Sequence, residues 1–195
     1  MKRKLSVLGG VAAIALLALA MLAAPAGAKT KTKTFSNPAA IPIPDETPPP
    51  DSVSGAAFSD LPVNKKGTIK DINVGVQVTH PDTGDLELYL FKGTKYIPLA
   101  LGAQGGSTDD NIGGGTACTG GITTFDGAAT LDIDDGLNPF AGAFRPQADT
   151  LPLGVYNGDQ LKGTWRLLVI DFVAPPPVQT GTINCFQLTA RYKAG

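Results

Sequence analysis

Residues 67–80 read GTIKDINVGVQVTH, and within them Ile72, Val74, Val76 and Val78 alternate with Asn73, Gly75 and Gln77. A repeat of two puts every second side chain on one face of an extended chain, so the stretch is a half-buried β-strand. Ile69 is out of phase with the other four, which predicts a bulge or kink near Lys70-Asp71.

The same period continues outward from this strand. Leu86, Leu88 and Leu90 alternate with Glu87, Tyr89 and Phe91, and Pro81-Asp82-Thr83-Gly84 supplies the intervening turn. Ile97, Leu99 and Leu101 make a further strand after the turn at Gly93, and Leu131 with Ile133 marks a short one closed by Asp134-Asp135-Gly136. Trp165, Leu167 and Val169 alternate, with Leu168 and Ile170 apolar as well, which predicts a strand covered on both faces. Ile183 to Tyr192 is the last strand, with Phe186, Leu188, Ala190 and Tyr192 on one side. Beyond residue 28 no segment carries a helical stripe. Short strands between Gly/Pro turns mean an all-β fold, a sandwich or a barrel.

Composition agrees. The 195 residues include 24 Gly and 16 Pro, with 17% charged and 43% hydrophobic. That is too little charge for a long coiled coil and too much apolar content for full disorder. The length suits one domain. Lys2, Arg3 and Lys4 precede an uncharged apolar run from Leu5 to Ala24, and Ala26-Gly27-Ala28 is an A-x-A cleavage site. The run is nearly long enough to anchor in a membrane. The cleavage motif and Pro25 favour a signal peptide over 1–28, and so an exported chain beginning at Lys29, secreted and free of the membrane. That chain has 13 Lys+Arg against 17 Asp+Glu, a net −4. It lacks the clustered cations that nucleic-acid binding needs.

Residues 29–50 contain KTKTKT and three consecutive prolines and are predicted to be a tail or linker, read as a spacer or as a binding motif, with a possible first strand from residue 40. The folded domain is then 51–195.

The order of motifs resembles the P domain (P/Homo B domain) of proprotein convertases. The match runs from Gly67–His80 with Gly84-Asp85-Leu86, through Thr124-Phe125-Asp126 and Pro139-Phe140-Ala141-Gly142-Ala143-Phe144-Arg145-Pro146. It continues with Leu151 and Tyr156-Asn157-Gly158, then Gly163-Thr164-Trp165-Arg166-Leu167 with Asp171, and ends at Gly181-Thr182-Ile183 with Leu188. It covers about residues 40–192. Gly127 stands where the family has a second Asp, and Phe186 where it has a closing Trp. The resemblance implies a jelly-roll-like antiparallel β-sandwich. In the family that domain follows a subtilisin-like protease domain; here it stands free of one.

His80 is the only histidine. A serine hydrolase needs a base within reach of its serine and a third group orienting that base, and no nucleophile context surrounds His80. It is read as structural, bonding turn backbone near Asp85. Trp165 is the structural anchor. Asp171 ends its strand, where it accepts N–H bonds from the turn at Val173-Ala174 or pairs with a cation. No catalytic residues are assigned. Gly113-Gly114-Gly115-Thr116 lacks the Lys of a phosphate loop and reads as a flexible loop.

Cys118 and Cys185 form an even pair in an exported chain, which points to a disulfide; two Cys and one His supply too few ligands for zinc. Calcium is the one cofactor with candidate ligands: Asp82 and Asp85 at one turn, and Asp109, Asp110 and Asp126, in a region that the resemblance implies for metal in bacterial relatives. The competing reading is turn chemistry, since a short carboxylate bonds its own backbone. The expected function is a secreted, non-catalytic module that binds a protein or a surface polymer, with Tyr96, Phe140, Phe144 and Tyr156 as candidate contacts. The alternatives are an accessory domain that stabilises or regulates a subtilisin-like serine protease on another chain, or an enzyme on a jelly-roll scaffold.

Overall fold

The computed structural model describes residues 29–47, 55–102, 111–147, 152–173 and 178–194. The apolar leader at 1–28 lies outside them. Eleven strands follow in order: β1 (Thr30–Asn37), β2 (Ile41–Ile43), β3 (Gly55–Val63), β4 (Thr68–Thr79), β5 (Leu86–Lys92), β6 (Lys95–Leu101), β7 (Asn111–Ile112), β8 (Thr123–Phe125), β9 (Gly142–Phe144), β10 (Gly163–Asp171) and β11 (Gly181–Lys193). The helical elements among the described residues are three short 3-10 turns.

The strands form two packed sheets, an all-β sandwich. The larger has the order β1-β11-β4-β8-β9, with β2 also on β11 and β7 also on β4; the smaller has the order β3-β10-β5-β6. Pairing is antiparallel except between β8 and β9, which run parallel. Between the sheets lies one apolar core. Ile72, Val74, Val76, Val78, Phe186, Leu188 and Tyr192 enter it from the larger sheet, and Leu86, Leu88, Leu90, Trp165, Leu167 and Val169 from the smaller. The irregularity near Lys70 has a simple geometry. Asp71 pairs with Arg191 and Ile69 with Tyr192, so Lys70 is the extra residue and both Ile69 and Ile72 point inward.

Three expectations are corrected. The Lys/Thr stretch expected in a spacer is β1, paired along its length with β11 from Thr30↔Lys193 to Asn37↔Phe186. An edge strand needs only backbone partners, so its lysines and threonines stay in water, Phe35 tucks under, and the charges discourage further edge pairing. Ile41-Pro42-Ile43 joins the other end of β11, with Pro42 at an edge where its missing N–H is harmless. Second, Leu131 and Ile133 do not form a strand. Ile133–Asp135 is a 3-10 turn beside a bridge from Asp132 to Arg145, and the Arg145 guanidinium grips the Asp132 carboxylate at 2.7 Å through both Nε and Nη2. Third, β10 is covered on one face only: Trp165, Leu167 and Val169 are buried, whereas Leu168 and Ile170 are half-buried on the outside.

Trp165 sits at the centre of the core. It meets Tyr156 edge-on at 5.1 Å, donates from Nε1 to the Leu161 carbonyl at 3.1 Å, and lies under the Lys92 ammonium at 5.5 Å. A buried indole that satisfies its N–H contributes its full apolar area to the fold.

Candidate functional site

His80 follows β4 in the larger sheet, and Asp171 ends β10 in the smaller. Their side chains meet with both fully buried, His80 Nε2 lying 3.1 Å from Asp171 Oδ2. The other Asp171 oxygen accepts the Val173 N–H at 3.3 Å. On its far side the ring engages Asp82: Nδ1 contacts the Asp82 carbonyl and lies 3.1 Å from the Asp82 N–H. Burial alone would pull the imidazole down. The Asp171 carboxylate, the Asp82 carbonyl and the Asp85 charge outweigh it and hold His80 above its ordinary value. An imidazolium donates at both ends, which suits two oxygens facing the two nitrogens. With both nitrogens engaged, the ring has none left to take a proton from a nucleophile, and the arrangement clamps one end of the two sheets together.

The proposed calcium ligands fall in different places. Asp82 and Asp85 share the turn beside His80. Asp82 Oδ1 caps it by accepting the Gly84 N–H at 2.9 Å, and burial followed by repulsion from Asp82 and Asp171 pushes the Asp85 carboxyl up. Asp126 lies after β8, where it accepts from Asn73 Nδ2 at 3.1 Å and from the Ala128 N–H at 2.8 Å. Asp109 and Asp110 lie outside the described residues. Among the described residues no group of three or more His, Cys, Asp or Glu side chains is gathered as a metal ion would need.

Cys118 and Cys185 are joined by a disulfide, with Cα atoms 4.9 Å apart across 67 residues. Closing a loop of that length contributes about 4 kcal/mol in the chain-entropy picture. The bond pins the Gly-rich segment 111–121 over the outside of the larger sheet. Gln77, an alternating polar residue of β4 and so expected to face solvent, is buried beneath it. Its Nε2 donates to the carbonyls of Gly114 at 2.8 Å and Thr119 at 2.7 Å, and its Oε1 accepts the Cys118 N–H at 3.0 Å. Gly115 tolerates no side chain there: a Cβ would stand 2.4 Å from the Thr119 carbonyl, at a φ of +97°. The triple-glycine segment is therefore an ordered cover organised by one amide. A lone buried Gln in a strand carries no mark in the sequence that separates it from a solvent-facing one.

The four aromatic candidates divide. Phe140, Phe144 and Tyr156 are core, and Tyr96 is 54% exposed. Tyr96 belongs to the outer face of the smaller sheet, where register builds rows across all four strands. One row is Asp60, Arg166, Phe91 and Tyr96; the next is Phe58, Leu168, Tyr89 and Pro98. Phe91 and Tyr96 stack at 5.3 Å with 22° between their planes, and Tyr89 meets Tyr96 edge-on at 6.2 Å. Arg166 grips both Asp60 oxygens, at 2.6 and 2.8 Å, and its guanidinium lies 4.9 Å over the ring of Phe58, itself 49% exposed. Tyr89 donates to Glu87 Oε2 at 2.7 Å, and burial together with that carboxylate pushes its hydroxyl up to about 12. A shallow depression of about 210 Å³ opens among Phe91, Gly93, Thr164 and Arg166. Phe58, Tyr89 and Phe91 were not among the candidates. The signal was present in the alternation itself, because the residues opposite Leu86, Leu88 and Leu90 are Glu87, Tyr89 and Phe91, and a solvent-facing phase seldom carries two aromatic rings.

No family model matches the chain, and no curated protein does. Two similar solved structures are the Aeromonas sobria serine protease in complex with its chaperone and the serine protease of Aeromonas sobria by itself. The first has a TM-score of 0.43 at 12% identity over 86% of this chain and 28% of that one. The second has a TM-score of 0.42 at 12% identity over 84% and 27%. The chain thus spans little more than a quarter of the length of the chains it matches.

Proposed function

We propose that the chain is an exported, non-catalytic binding module that takes a protein or a surface polymer on the outer face of its four-stranded sheet. The observation that carries this reading is the aromatic set on that face, with Phe58 and Tyr96 about half exposed and Tyr89 and Phe91 half-buried between them. Cross-strand ring pairs add a little to the stability of the sheet, but the half-exposed rings of Phe58 and Tyr96 still leave apolar area in water, and such patches are characteristic of contact surfaces. The engaged nitrogens of the lone histidine support the non-catalytic part. The runner-up, an accessory domain for a subtilisin-like serine protease on another chain, rests on the P-domain-like motif order from Gly67 to Leu188. It would use the same face.

The test is capture from the native secretome and cell-surface fraction with the exported chain and a Phe58→Ser/Tyr96→Ser variant. Both sites are half exposed, so the variant is expected to melt within about 0.5 kcal/mol of the parent and to lose its captured partner. Equal capture by both proteins would place the contact elsewhere. A partner protease whose melting temperature rises on mixing would favour the runner-up. A hydrolase activity lost in a folded His80→Ala variant would end the non-catalytic reading.

A further inference from the structure

We propose that the outer edge of β1 takes an extended acidic segment of a partner protein, added to the larger sheet as a further strand. This surface is separate from the outer face of the smaller sheet. Backbone availability singles it out. β1 pairs with β11 on one side, and among the described residues no strand pairs with it on the other. The long edge strands of the smaller sheet, β3 and β6, carry Pro62 and Pro98, and a proline breaks the row of outward N–H donors that strand addition uses. β9, at the far edge of the larger sheet, has three residues. β1 has eight and no proline. Among the described edges it is therefore the one on which an added strand forms a long, unbroken ladder.

Charge decides which kind of strand fits. Lys31, Lys33 and Phe35 stand opposite Tyr192, Ala190 and Leu188, three buried residues, so they occupy the phase that faces the core. At the end of β1 the sandwich is closed: Phe35 packs on the core, and Asn37 Nδ2 donates to Ser59 Oγ and to the Asp60 carbonyl, each at 3.1 Å. Towards the start of the strand the same phase is open, and Lys31 and Lys33 are exposed. Lys33 lies over the Phe35 ring at 5.3 Å, and among the described residues no carboxylate pairs with either lysine. Lys29 precedes them and Lys193 stands opposite Thr30, which adds charge of the same sign. The other phase is uncharged, with the Thr34 hydroxyl held by Thr189 at 2.8 Å. A strand laid on this edge puts alternate side chains directly against the lysines. A second copy of β1 pairing in phase brings its own Lys31 and Lys33 there, and like charges face to face oppose pairing; a strand with Asp or Glu at those positions is attracted instead. The charges that guard the edge against a like strand thus select an acidic one. A polyanion with no peptide backbone meets the lysines but leaves the N–H and C=O groups of the edge unpaired, so the surface favours a protein segment.

The test is fluorescence anisotropy of a labelled peptide of alternating Thr and Glu, long enough to span β1, titrated with the exported chain at physiological ionic strength. Binding is expected, with slower hydrogen exchange of β1 amides in the complex. Lys31→Glu/Lys33→Glu, at two exposed sites and checked for folding by circular dichroism, should weaken it by about tenfold or more and should take the alternating Thr-Lys peptide that the parent rejects. Lys31→Gln/Lys33→Gln serves as the milder pair should the reversed one prove unstable. No binding of the Thr-Glu peptide, or binding unchanged in the lysine variants, would overturn the inference. Equal binding of inorganic polyphosphate, or of the same peptide with its nitrogens methylated, would also overturn it, because charge alone would then suffice. Phe58→Ser/Tyr96→Ser should bind the peptide as the parent does; loss of binding in that variant would place the peptide on the smaller sheet and sink the assignment to β1.

Discussion

The two sheets turn very different outer faces to the surroundings. The larger shows Thr32, Thr34, Ser36, Gln187, Thr189 and Asn73, with the Thr34 and Thr189 hydroxyls 2.8 Å apart, and part of it lies under the disulfide-bonded cover. The smaller shows Phe58 and Tyr96, each about half exposed, with Leu168, Tyr89, Phe91 and Pro98 half-buried beside them and the Arg166 guanidinium over the Phe58 ring. Each inner face is apolar, so the core does not distinguish the sheets. What distinguishes them is where the chain has placed side chains that folding does not need. Polar residues on one outer face keep that side inert, while aromatic residues on the other leave a surface whose burial is favourable only when something docks. Solvent-facing positions are therefore the place to look for function in this sandwich, and the core is not.

The largest expected effect comes from the inner side of the small sheet. Trp165→Ala removes the indole that Tyr156 packs against edge-on and Lys92 covers. It should cost about 3–5 kcal/mol, enough to unfold most of the chain in a urea titration at 25 °C. A loss under about 1 kcal/mol would mean that the small sheet is held mainly by its edges, and the contrast between an essential inner face and a dispensable outer one would fail.

The next effect tests the outer face of the large sheet. Gln77→Ala leaves the Gly114 and Thr119 carbonyls and the Cys118 N–H without their partner. Each unsatisfied buried group costs about 1–3 kcal/mol, relieved in part as water enters, so a net loss of about 2 kcal/mol and faster reduction of the Cys118–Cys185 bond by dithiothreitol are expected. Unchanged stability and reduction rate would show that the cover is held by the disulfide alone. This residue also marks how far the sequence could be read. Alternation gave the strands, because one buried face forces a period of two, and even the bulge at Lys70 followed from Ile69 being out of phase. Alternation could not separate Gln77 from Asn73, because what buries Gln77 is a loop more than 35 residues away that its own spacing does not encode. The K-T repeat failed as a strand signal for a related reason: an edge strand held by backbone bonds alone needs no apolar phase. For the candidate face, Tyr96 was legible as an aromatic residue, but Leu168 and Ile170 suggested a covering layer, and only the arrangement of strands shows that their side is open.

The smallest effect concerns a place where the two sheets are joined by charge. His80 comes from the end of β4 and Asp171 from the end of β10, and the groups facing the ring are the Asp171 carboxylate, the Asp82 backbone and the charge of Asp85. Because the folded chain holds the His80 proton more tightly than the unfolded chain, whose histidine titrates near 6.5, folding is favoured by protonation. That contribution is fully present below about pH 6.5 and is lost as pH rises through the higher folded value. Asp85 is raised as well, so its share has the same sign but is lost at lower pH, while Asp60 and Asp132, held down by Arg166 and Arg145, lose theirs as pH falls through the acid range. Around neutrality the slope belongs to His80, and the raised Tyr89 hydroxyl contributes only in the more alkaline range. Melting temperatures taken from pH 5.5 to 9 should fall on the alkaline side in the parent and run flatter in His80→Gln, with the two curves converging at high pH. Parallel curves would mean that the pair is neutral in both limbs, and that the sheets are clamped at this end by hydrogen bonds from an uncharged ring.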